Sequence, residues 1–225
     1  MGTLTPWALL EFSARNWLSC TTLSAGIDVI RQQNADALSR VAVLPTYFWQ
    51  GILITNQTGT LCQSLAPYLE EIRLSIGKTL QDICFPLCSG NHWFMINISL
   101  KKKEIQIADG YGGGIDFPED LHSILTSFLR RNLEVDLTDW NTMVVRLAAP
   151  QQVDGDSCGL IVLELLEQVC TATAPSWTQD LAVQCRKKWL VRCIELWRKA
   201  SEELMAKETQ AAGEVNPFLH FCQCN

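Results

Sequence analysis

An α+β fold, with a central mixed or antiparallel sheet flanked by helices, is the class this sequence predicts. Two adjacent stretches alternate apolar and polar residues with period two. Several longer stretches repeat apolar residues at helical spacing, and no internal repeat or linker divides the chain. The 225 residues, 48% hydrophobic and 19% charged, suit one large domain and exclude a mostly disordered chain. We place that domain at residues 1–207, with 1–45 open to being an N-terminal extension, and treat 208–225 as a C-terminal tail.

Thr3–Arg40 is mixed and helical in part, with turn signals near Cys20–Gly26. Val41–Leu69 carries no charge, but Pro45, Gln50, Gly51, Asn56, Gln57, Gly59 and Pro67 do not suit a lipid-embedded helix. It reads as a buried, broken segment. Leu65–Leu80 interleaves Leu69, Ile72, Leu74 and Ile76 with charged residues, as an amphipathic helix does. In His92–Ser99, Phe94, Ile96 and Ile98 share a face with His92. In Glu104–Asp109, Ile105, Ile107 and Asp109 share one, and Leu100–Lys103 between the two is of hairpin-turn length. Gly110, Gly112, Gly113 and Gly114 end the second strand. A helix near Pro118–Arg131, a strand at Thr142–Leu147 and an apolar helix at Cys158–Ala172 come next. The last helix opens on a capping-box pattern, Ser176-x-x-Gln179. It then repeats Leu181, Cys185, Trp189, Cys193, Trp197, Ala200 and Leu204 at helical spacing, a stripe that reads as core.

Composition narrows the function classes. Eighteen Lys+Arg against 24 Asp+Glu give a net charge of −6, so no general attraction to nucleic acid is expected. The Lys101-Lys102-Lys103 run is short and sits in an expected solvated turn. Met1–Leu10 lacks a basic residue, and Glu11 and Arg15 break the apolar stretch beyond it, so a secretory signal is not expected. The ten cysteines then read as reduced packing residues in the cytoplasm or nucleus, with no disulfide framework and no membrane partner.

One set of polar residues carries chemistry. Of the three histidines, His122 and His220 lie in an amphipathic segment and the tail. His92 begins a strand, and Asp109, 17 residues on, ends its neighbour. An even number of turn residues puts the two on one face, opposite or one diagonal step apart, where a carboxylate fixes the tautomer of an imidazole. Cys158 follows the turn Gln152-Val-Asp-Gly-Asp-Ser and opens a helix, whose N-terminal N–H groups and dipole lower a thiol's pKa. Gly159 leaves room there for a substrate backbone. Gln152, six residues upstream, can aim an amide N–H at a developing oxyanion, a donor worth about 3 kcal/mol of barrier.

His-Trp, an Asp 17 residues on, and Gln-x-(Asn/Asp)-Gly-x-x-Cys-Gly together resemble the ubiquitin-like-protein-specific proteases. These include the SUMO (sentrin) proteases, with adenovirus-type proteases as distant relatives. The resemblance covers about Asn91–Leu166. It implies a papain-like cysteine protease with the nucleophile at a helix N-terminus, cleaving after the Gly-Gly tail of a ubiquitin-like modifier and needing no cofactor. It makes His92 the general base, Asp109 its orienter, Gln152 the oxyanion donor and Cys158 the nucleophile. Trp93 matches the tryptophan over the narrow channel for the Gly-Gly tail. Two departures stand out. Ser157 replaces the family's usual Asp before the nucleophile, and the upstream Trp-Leu-x-Asp element is echoed only by Trp49-Gln-Gly-Ile52.

Other readings are weaker on chemical grounds. An acyltransferase can use the same covalent intermediate, but related effector enzymes often carry Glu where this chain has Asp109. A non-catalytic modifier-binding domain has no need of a thiolate. Cys84-x3-Cys88-x3-His92 and His220-x-Cys222-x-Cys224 lack the spacing of common zinc sites, so no metal is expected. The expected enzyme is a monomer whose partners are a ubiquitin-like modifier and its conjugates, SUMO-type or ubiquitin-type.

Overall fold

The computed structural model describes residues 6–112 and 118–214. Five strands form one mixed sheet in the order β1 (Val41–Val43), β2 (Asp82–Ser89), β3 (His92–Ser99), β4 (Glu104–Ala108) and β5 (Val145–Leu147). The outer pairs β1–β2 and β4–β5 run parallel, and the two central pairs run antiparallel. The expected α+β class is therefore observed, with a mixed sheet.

Alternation along the central strands divides the core between the two faces. Cys84, Trp93, Met95 and Ala108 point to one face, which is covered by α1 (Pro6–Ser13), α2 (Cys20–Gln33), α6 (Cys158–Thr171) and α7 (Ala182–Glu214). Ile83, Phe85, Phe94, Ile96, Ile98, Ile105 and Ile107 point to the other, covered by α3 (Phe48–Thr58), α4 (Ala66–Ser75) and α5 (Leu121–Leu133). Helices on both faces explain why every residue of β3 is buried, including the polar ones.

Two hairpins set the register that matters. β2 and β3 join through Gly90 and Asn91, both at positive φ, as a two-residue turn requires, and Ser89 pairs His92. The β3–β4 turn pairs Ser99 with Glu104, leaving four residues between them. That even number puts His92 and Asp109 on one face, one diagonal step apart.

Several local expectations are corrected. Cys20–Gly26 is helical rather than a turn, because Ser19 caps α2 by accepting from the Thr22 N–H. Helix α4 stops at Ser75, before Gly77 at positive φ, and leaves Leu74 exposed. β2, which the sequence marks only by its cysteine spacing, is a full strand. Its Pro86 lies beyond the three residues paired to β1, where no N–H is needed on that edge. The α7 stripe is core only in part. Cys185, Trp189 and Cys193 are buried, while Leu181, which precedes the helix, and Trp197 and Leu204 further along it are exposed. Helix α7 also passes Lys207 without a break.

Candidate active site

The site is assembled where the start of β3, the end of β4 and the start of α6 meet. His92 Nε2 lies 2.8 Å from Asp109 Oδ1, with both residues buried. A carboxylate can only accept, so Nε2 carries the proton and Nδ1 is left as the basic nitrogen. Asp109 Oδ1 also accepts the Tyr111 N–H at 2.8 Å, and Arg146 Nη1 stands 3.8 Å from Oδ2. The imidazole is held against Phe94, edge-on at 4.6 Å, and Tyr111 at 4.9 Å. A ring fixed on three sides loses little further entropy in keeping its catalytic orientation.

Cys158 is the first residue of α6 and is buried. Burial pushes its thiol above the ordinary range. The main-chain N–H groups of Trp93, Gly159 and Cys158 itself, with the Trp17 indole, pull in the opposite direction. The helix N-terminus thus acts as expected, but desolvation outweighs it, which corrects the expectation of a lowered thiol pKa. The thiol lies against the main chain of Trp93, the residue that follows His92.

Trp93 donates its indole N–H to the Leu18 carbonyl at 2.8 Å. Its ring stacks on Trp17, with centroids 5.5 Å apart and planes 14° apart. The buried Trp17 N–H has no hydrogen-bond partner of good geometry, yet it is close enough to stabilise a Cys158 thiolate. Trp49 is buried in α3 on the opposite face of the sheet, so the echo of the upstream element is misplaced there. Trp17 and Leu18 instead stand beside Trp93, one through the ring stack and the other through its carbonyl.

At Gly159 a Cβ would lie 3.0 Å from Leu18 Cβ, so the missing side chain makes room for Leu18. Gly159 thereby lets the segment carrying Trp17 seat against α6.

Gln152 is buried and tied to the end of β4 by its N–H, 2.8 Å from the Gly110 carbonyl. Its Nε2 gives one hydrogen to the Asp154 carbonyl at 2.8 Å and keeps a second for an oxyanion. Tyr111 Oη donates to the same carbonyl at 2.7 Å, joining the His92 pocket to the nucleophile loop. Sequence reasoning missed Tyr111 as well as Trp17. His122 lies away from the site and bonds the Asn141 carbonyl. Cys84 donates to Asn97 Oδ1, and no metal-binding cluster exists among the described residues. His220, Cys222 and Cys224 lie outside them.

A family model described as the Ulp1 protease family, C-terminal catalytic domain, matches residues 79–201, just over half of the chain and all four polar residues of the site. The chain belongs to the Ulp1 protease family. It is thus a cysteine peptidase, of the family whose resemblance its motifs carry. Solved Ulp1-type structures share the fold. A SUMO protease Ulp1 with its catalytic cysteine oxidised to a sulfenic acid superposes with a TM-score of 0.69 at 17% identity, covering 86% of this chain and 85% of that one. The Ulp1 protease domain in complex with Smt3, the yeast orthologue of SUMO, gives 0.67 at 17% identity, over 87% and 84%. The Chaetomium thermophilum Ulp1-like SUMO protease catalytic domain gives 0.60 at 18% identity, over 81% and 73%. No curated protein sequence matches the chain.

Proposed function

We propose that this Ulp1-family protease hydrolyses the bond after the C-terminal Gly-Gly of a SUMO-type modifier, releasing it from a conjugate or a precursor. The observation that carries this reading is the fixed His92–Asp109 pair at the head of the strand that also brings the Trp93 main chain, together with the Trp17 indole, to the buried Cys158 thiol. Two flat rings next to a nucleophile suit a tail without side chains, and Gly-Gly is the tail that meets this condition at least steric cost.

In the reaction, His92 Nδ1 takes the Cys158 proton as sulfur attacks the carbonyl carbon of the terminal glycine. Negative charge collects on the carbonyl oxygen, and the free Gln152 Nε2 hydrogen and the N–H groups at the head of α6 stabilise it. As the tetrahedral intermediate collapses, imidazolium gives its proton to the departing amine and a thioester remains. Water, deprotonated by His92, then attacks the thioester and restores the thiol. Asp109 keeps Nε2 protonated and stabilises the imidazolium throughout.

The enzyme works in a reducing compartment, cytoplasm or nucleus. Free thiols at Cys84, Cys170, Cys185 and Cys193 within the core support this assignment. The test is turnover of SUMO and ubiquitin carrying a C-terminal fluorogenic amide. Release of the fluorophore from SUMO, abolished by Cys158→Ala, supports the reading. Preference for ubiquitin would move the substrate to that modifier. Failure with both, alongside acetyl transfer from acetyl-CoA, would replace it with acyl transfer.

A further inference from the structure

We propose that Gln179 and Arg186, from the C-terminal part of the chain, are positioning residues for the acyl-enzyme chemistry, holding the 152–158 loop that presents Gln152 and Cys158. This rests on the reading of Gln152 and Cys158 given under Proposed function.

Gln179 grips the loop with both ends of its amide. Its Oε1 accepts the Val153 N–H at 2.9 Å, and its Nε2 donates to Asp154 Oδ2 at 2.6 Å. Asp154 is the hub of the loop. Its Oδ1 accepts the N–H groups of Asp156 and Ser157 at 3.2 and 2.9 Å, and its Oδ2 also accepts Ser157 Oγ at 2.8 Å. Burial raises this carboxyl, but the donors from Gln179, Ser157 and Asp156 outweigh it and hold it below the ordinary range. The carbonyl of the same residue receives both Gln152 Nε2 and Tyr111 Oη. A shift of Asp154 therefore moves the oxyanion donor and the start of α6 together.

Arg186 supplies the second hold. It is buried on α7, with Nη2 on the Asp156 carbonyl at 2.9 Å and Nη1 on the Glu11 carbonyl at 3.0 Å, so the loop is fastened to α1 as well. Next to the loop lies a cavity of about 420 Å3 bordered by Arg15, Asp156, Gln179 and Arg186.

The same contacts explain why the expected capping box does not form. Ser176 Oγ is bonded to Glu164 at 2.6 Å, and the short turn Gln179–Leu181 has no side-chain cap. Gln179 has the composition of a cap but the geometry of a clamp.

The test uses the full chain with Gln179→Ala, Gln179→Glu, Asp154→Asn and the double variant Asp154→Asn/Gln179→Glu. In Gln179→Glu two carboxylates meet where a 2.6 Å hydrogen bond stood. The double variant restores the bond with its direction reversed. The new amide at position 154 donates to the new carboxylate at position 179, which still accepts the Val153 N–H. On SUMO with a C-terminal fluorogenic amide, the single variants are expected to lose on the order of 10- to 100-fold in kcat with little change in KM. The double variant should recover most of that loss. The pH profile of Cys158 alkylation by iodoacetamide, which needs no modifier, should shift in the single variants and return in the double one.

Single variants with the kcat and alkylation profile of the parent would overturn the proposal. So would a loss that follows thermal unfolding alone, with the double variant no better than Gln179→Glu. If the parent turns over no modifier while the alkylation profile still shifts and recovers, the substrate reading fails and the positioning role stands.

Discussion

Trp17 lies flat on Trp93, the two indoles 5.5 Å apart and 14° from parallel, although they come from segments far apart in the chain. The contact joins the N-terminal segment to the start of β3, next to the buried Cys158 thiol. It makes residues before the matched family segment part of the site.

The stack and the Trp17 N–H are separable. Trp17→Phe keeps an aromatic face but removes a donor that draws the Cys158 pKa down. The thiol should then titrate higher still, and iodoacetamide alkylation should move to higher pH. Trp17→Ala should in addition raise KM for the modifier by on the order of tenfold, through loss of the ring. An unchanged alkylation profile in the Phe variant would remove the donor role.

Asp109→Asn tests the His92 tautomer. An asparagine can present its NH2 to Nε2, which would force the proton onto Nδ1 and remove the base. The expected loss in kcat is on the order of 1,000-fold or more, with fold and melting temperature retained. A variant within about tenfold of the parent would show that Asp109 does not orient His92.

Ser157 occupies the position where the family usually has Asp, and its Oγ donates to Asp154 at 2.8 Å. Restoring the family residue should therefore harm this chain. Ser157→Asp replaces a donor with a second carboxylate and should cost about 1–3 kcal/mol of stability, read by denaturant unfolding. Asp154→Asn in the same chain should relieve part of the loss. A Ser157→Asp variant as stable as the parent would contradict the hydrogen-bond pattern of the loop.

Glu164 connects stability to pH. It is buried on α6, which raises its carboxyl, but Lys188, Ser176 and Trp189 outweigh burial and hold it below the ordinary value of 4.5. A depressed folded-state pKa gives stability that is complete above the unfolded value and is lost as pH falls from there through the folded value. Melting temperature should drop below about pH 4.5 more steeply in the parent than in Glu164→Gln, which lacks the titrating group. Parallel slopes would assign the acid sensitivity to other groups.

The legible parts of the molecule are those governed by short-range rules. Alternation in β3 and β4, with an even turn between them, is enough to set the His92–Asp109 relation. The order His92, Asp109, Gln152 and Cys158 likewise points to one chemistry. What escapes depends on contacts distant in sequence. Nothing local distinguishes Trp17, which stacks over the site, from Trp49, which fills the core behind the sheet. Helical spacing continues through Trp197 and Leu204 although both are exposed, so periodicity alone overextends the core. Ser176 and Gln179 fit a local cap, but Glu164 and Asp154 offer each a partner elsewhere. The pKa of Cys158 depends on burial by other segments, which a helix start does not reveal.

Attack by Cys158 on the terminal glycine of a SUMO-type modifier can be read out by incubating the full chain with SUMO carrying a C-terminal propargylamide and locating the adduct by peptide mass spectrometry. One modifier per chain is expected, bound through Cys158, with labelling lost in Cys158→Ala and strongly slowed in His92→Ala. An adduct on another cysteine, or undiminished labelling of Cys158→Ala, would contradict it.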